Sequence, residues 1–74
     1  MKDVKIRDEF IKLGQAMKLA GAVESGAEAK DVITDGKVTV NGEVDTRRGR
    51  KLYPGDVFSY RGKEYSIAAR PDRS

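Results

Sequence analysis

Between Ser25 and Gly42 the apolar positions change period once, from helical spacing to strict alternation, and the change marks a helix running into a hairpin. Ser25 and Glu28 have the S-x-x-E spacing of a capping box, in which the serine oxygen accepts from the third helical N–H while the glutamate reaches back to the cap N–H. The helix therefore starts at Gly26. Ala29, Val32 and Ile33 make one narrow apolar face, which leaves Lys30, Asp31, Thr34 and Asp35 toward water. Gly36 supplies the left-handed residue that ends it. Val38-Thr39-Val40 then alternates, Asn41-Gly42 suits a type I′ turn, and Glu43 to Thr46 is predicted to return as the second strand.

The flanks read as supporting elements. Val4 and Ile6 alternate with Asp3, Lys5 and Arg7, the pattern of a short edge strand. Asp8 is the expected N-cap of a first helix running to Ala20, with Phe10, Leu13, Met17 and Ala20 as its core stripe and Lys12, Gln15 and Lys18 solvated. Gly14 within it is expected to let this helix approach the second closely. Downstream, Leu52 and Tyr53 are expected to re-enter the core and Pro54-Gly55 to turn. Val57–Tyr60 and Lys63–Ile67 form a further hairpin about Arg61-Gly62, with Phe58, Tyr60, Tyr65 and Ile67 on or beside its core face. The core needs Tyr60 and Tyr65 more than a stacked base does. The predicted fold class is α+β: two packed N-terminal helices on a small, mainly antiparallel sheet of three to five strands. It forms one domain over residues 1–69, with a flexible polar tail over 70–74.

Composition narrows the chemistry. A chain of 74 residues has little room for an enclosed active site, and one without cysteine or histidine has no zinc-finger ligands, no disulfide, no thiol nucleophile and no imidazole base. No cofactor and no enzymatic activity are expected. The N-terminus is charged and carries no long apolar run, so a cytoplasmic protein is expected.

Charge is unevenly spread. Residues 1–36 hold six Lys/Arg against seven Asp/Glu, whereas residues 37–74 hold nine against five, so the basic character sits in the second half. Arg47-Arg48-Gly49-Arg50-Lys51 places four cations in five residues with no acidic residue between them. A run of that kind is often only a solvated surface. Arginine, however, offers a planar fork for phosphate and a face for an unpaired base, so the loop is the leading candidate for a polyanion contact.

The chain also resembles a known family. Leu13, Met17, Gly21, Ser25, Ala29, Ile33, Gly36, Val38, Val40, Asn41 and Gly42 fall in unbroken register with the S4 RNA-binding domain, and Gly55-Asp56 matches its closing pair. Within it the chain is similar to the small stand-alone S4-like proteins of the YbcJ-like family. It departs at Gly26, where many S4 domains have arginine, and at Gly14, where they have aspartate. The resemblance implies an alpha-L fold that binds RNA along the second helix and the strand-and-loop region after it. Carried over by position it implicates Ser25, Lys30 and Lys37; Arg47, Arg48, Arg50 and Lys51 are added from charge. The expected partner is structured RNA, ribosomal or transfer, with ribosomal proteins as further partners and the chain a monomer. Two other readings are a protein-docking module in a nucleoprotein complex and DNA binding through the same patch, which phosphate contacts alone do not separate.

Overall fold

The N-terminal alternation becomes a strand because it finds its partner at the far end of the chain. In the computed structural model, which describes residues 1–69, β1 (Lys2–Ile6) runs parallel to β7 (Lys63–Ala69), with Val4 beside Ile67 and both buried. A parallel pair needs a crossover, and here everything between the two strands supplies it. The remaining pairs are antiparallel: β3 (Val38–Val40), β4 (Glu43–Val44) and β6 (Val57–Tyr60) complete a five-stranded sheet ordered β1-β7-β6-β3-β4. The edge position expected for the first strand holds.

Two helices close one face of the sheet, α1 (Leu13–Leu19) and α2 (Gly26–Thr34). Ser25 Oγ caps α2 by accepting from the Glu28 N–H at 3.1 Å, as the sequence predicts. Glu28 differs by one residue: its carboxylate accepts from the Glu24 N–H at 2.9 Å, the side chain spanning the extended Ser25 to the amide before it. At the other end Gly36 takes φ +77°, which lets the N–H groups of Gly36 and Lys37 turn back onto the carbonyls of Ile33 and Val32. Asn41 and Gly42 both have positive φ, as a type I′ turn requires.

Helix α1 departs from expectation. Asp8 does not cap it, because Ile11–Lys12 is taken by a second, two-stranded ribbon: β2 (Ile11–Lys12) pairs antiparallel with β5 (Lys51–Leu52). The helix starts only at Leu13 and has no side-chain cap. Its first amides donate instead to carbonyls of the 45–50 loop, Leu13 N–H to Arg50 at 2.8 Å and Gly14 N–H to Arg48 at 3.1 Å.

Leu13, Met17, Ile33, Val38, Leu52, Phe58 and Ile67 are the largest fully buried side chains, so both helices, the sheet and the ribbon share one core. Phe58 and Tyr65, opposite each other across β6 and β7, stack with centroids 4.8 Å apart. Each such burial contributes roughly 1.5–3 kcal/mol. Tyr53 corrects the sequence reading: it follows the buried Leu52, alternation turns it outward, and it is 47% exposed. The two turns beside it are tied together. Asn41 donates to Asp56 at 3.2 Å and accepts from the Val57 N–H at 3.0 Å, while the other oxygen of Asp56 accepts from the Tyr53 N–H at 2.8 Å. The tail expected over residues 70–74 lies outside the described residues.

Candidate nucleic-acid interface

The basic loop is built on an acid that the run itself does not contain. Asp45, directly after β4, is 7% exposed and lies within reach of two of the loop's arginines. One carboxylate oxygen accepts from the Arg47 backbone N–H at 2.9 Å and from Arg47 Nε at 3.1 Å; the other accepts from Arg47 Nη2 at 2.9 Å and Arg50 Nη1 at 2.6 Å. The Arg47 side chain is the main reason the carboxyl is held well below the usual carboxylate range; the Arg47 amide and Arg50 add to it, and burial opposes it. Arg47 is pushed up in turn by the same bonds. The four-cation run is therefore not unbalanced. Arg47 and Arg50 share a carboxylate two and five residues away, and the loop is an ion-paired knot rather than a loose string of charge.

A pH dependence follows with a definite sign. Because the folded carboxyl is depressed, its contribution to stability is complete above the unfolded carboxyl pKa of about 3.9 and is lost progressively as pH falls below it. Thermal melts of the wild type and an Asp45→Asn variant should therefore differ at neutral pH and converge in acid below about pH 4.

Arg48 has a different role. Its backbone carbonyl holds the Gly14 amide, and its side chain crosses Gly14 so closely that a Cβ there would stand 2.8 Å from Arg48 Cγ. The close approach expected between Gly14 and the second helix is made to this loop instead. The stem thus leads Arg48 into a shallow depression that it lines with Lys12, Gly14, Gln15, Lys18, Gly26 and Gly49. Three cations and no carboxylate line it. Gly26 is the first residue of α2, so the positive end of that helix dipole adds to their field.

The remaining site residues divide. Ser25 is engaged as the cap, and Lys30 is exposed one helical turn beyond Gly26, on the same side of α2. Lys51 stands in the ribbon opposite Lys12. Lys37 does not join them: just past α2, it lies in a separate depression with Tyr60 and Arg61. Lys12 and Lys18 are exposed, as expected, but sequence reasoning did not place them beside Arg48. Gln15 and Lys18 share a face of α1 and Lys12 stands just before the helix in β2, but which surface they meet is fixed only by the loop docking on Gly14.

A two-helix layer on a mixed, mostly antiparallel sheet, with a cationic depression at the N-terminus of the second helix, defines a small α+β binding domain. The chain belongs to the S4 domain family, whose model matches residues 4–68. It is 49% identical over 59 residues to "Probable ribosome maturation protein RlbA" of Bacillus subtilis (strain 168), covering 80% of this chain and 83% of that protein. It is 39% identical over 59 residues to "Putative RNA-binding protein YbcJ" of Escherichia coli (strain K12), covering 80% and 84%. The solution structure of YbcJ, described as revealing an alfaL motif involved in RNA-binding, superposes with a TM-score of 0.72 at 34% identity, covering 93% of this chain and 89% of that one. The fold is thus the S4, alpha-L fold. Among the described residues no helix is long and apolar enough to cross a membrane, and no three His, Cys, Asp or Glu side chains gather as metal ligands.

Proposed function

We propose that this chain is a non-enzymatic, cytoplasmic RNA-binding module, acting as a monomer, that grips structured RNA through phosphates and shape. One observation carries the reading: Lys12, Lys18 and Arg48 line one depression that no carboxylate lines, beside Gly26 at the start of α2, with Lys51 and Lys30 alongside, while the first-turn Glu28 is engaged with the Glu24 amide. Such a surface neutralises a backbone and reads little sequence. The ribosomal part in the name of the Bacillus relative supports ribosomal over transfer RNA, and with it ribosomal proteins as neighbours. A sequence without histidine or cysteine supports binding rather than catalysis.

Titration against ribosomal RNA fragments at several salt concentrations tests it. Contacts from these five cations should make log K fall with log salt at a slope of about −3.5 to −4.5. A fold-checked Lys12→Ala, Lys18→Ala, Arg48→Ala variant should bind more weakly, with the slope shallower by about 2 to 3. Binding indifferent to salt, or a variant that matches the wild type, overturns the reading.

A further inference from the structure

The two-stranded ribbon carries a face that its own stability does not require. In register, Ile11 stands opposite Leu52 and Lys12 opposite Lys51. Alternation sends Leu52 into the core, with Ile11 packed against it, and leaves the two lysines facing outward together. Like charges directly opposite one another destabilise a pair of strands. One step further along the same register Phe10 and Tyr53 meet, with ring centroids 5.8 Å apart and planes at 50°; period two puts them on the lysine face. Lys51 Nζ lies 4.9 Å from the Phe10 centroid, and Tyr53 remains 47% exposed. Two rings and two cations thus share one outward surface. Lys12 makes that surface continuous with the depression that holds Arg48 and Lys18.

The other three aromatic residues are unavailable, since Phe58, Tyr60 and Tyr65 are buried in the core. Tyr53, at 47%, is the most exposed ring. An exposed aromatic side chain flanked by cations fits an unpaired nucleotide, whose base stacks on the ring while its phosphates meet the ammonium groups. A base inside a duplex has no open face to offer.

We propose that the β2–β5 ribbon seats an unpaired nucleotide of the bound RNA, with its base on Tyr53 and its flanking phosphates at Lys12 and Lys51. This rests on the RNA-binding reading above and adds to it a preference for loops or bulges. Phe10, tilted against Tyr53 and covered by Lys51, backs the platform and fixes the ring.

The test compares a hairpin RNA bearing an unpaired adenine-rich loop with a fully paired RNA duplex of the same length, at fixed salt. Tyr53→Leu should weaken hairpin binding about tenfold or more, leave duplex binding unchanged and leave the salt slope as it is, because the ring carries no charge. Tyr53→Trp keeps the platform and supplies the chain's sole tryptophan, whose fluorescence should be quenched by the hairpin and not by the duplex. If Tyr53→Leu binds both RNAs as the wild type does, or loses affinity for both equally, the nucleotide seat is wrong while salt-dependent binding stands. If the wild type binds neither RNA in a salt-dependent way, the RNA reading falls as well.

Discussion

An Asp45→Ala variant should be less stable and bind RNA more weakly, although it loses a negative charge. The nearly buried carboxylate takes bonds from an amide and two guanidinium groups. Hydrogen bonds involving a charged group contribute about 1.5–3 kcal/mol. The Arg47 side chain is 70% exposed and can be rehydrated, which discounts its share of the pair. A loss of about 2 kcal/mol is expected, or a fall in melting temperature of roughly 10 °C for a domain of this size. The binding arm discriminates more sharply. If the loop were only solvated charge, removing an anion would tighten binding and steepen the salt slope. If Asp45 folds the loop so that Arg48 lies over Gly14, its removal frees Arg48 from the depression, and binding weakens despite the better electrostatics. Denaturant titration together with RNA titration reads both arms, and tighter binding by the variant overturns the organising role of Asp45.

The same loop marks where sequence reading stops. The α2 helix and its hairpin were legible because their signals are local: Ser25 meets a partner three residues on, Gly36 takes its φ whatever surrounds it, and Asn41-Gly42 makes a turn by itself. The start of α1 was not. Asp8 has the chemistry of a cap, but Ile11 and Lys12 pair with residues forty positions away, and that tertiary pairing overrides the local signal. Tyr53 was misplaced for a smaller reason. Treating Leu52 and Tyr53 as core together broke the alternation that a strand imposes on adjacent residues, and the ring taken for core is the exposed one. Asp45 was within reach of inspection, two residues before Arg47, yet a charge run counted from its first arginine leaves out the acid that holds it. What no local pattern carries is that Gly14, a flaw in a helix by propensity, is the seat of Arg48.

Substitutions at Gly14 therefore separate stability from binding. In Gly14→Ala the new Cβ would stand 2.8 Å from Arg48 Cγ, a distance that obliges the side chain to move. The helix gains about 1 kcal/mol of propensity over glycine, which offsets much of that displacement, so melting should change little. Binding should nonetheless weaken, with a salt slope shallower by about 1 as one phosphate contact is lost. Gly14→Val has no such offset. The Arg48 carbonyl oxygen is only 3.7 Å from the Cβ position, so a branched side chain presses on the loop backbone as well as on the stem. The loop must lift, and the bonds from Leu13 N–H to Arg50 and from Gly14 N–H to Arg48 lengthen or break. Overpacking of this kind costs about 1–3 kcal/mol, and the start of α1 loses the acceptors that stand in for its missing cap. Denaturant midpoints should thus rank wild type close to alanine and both well above valine, whereas RNA affinities should rank wild type above alanine and alanine above valine. An alanine variant that keeps the full salt slope would mean that Arg48 meets RNA from elsewhere than the Gly14 seat, leaving Lys12 and Lys18 to carry the depression alone.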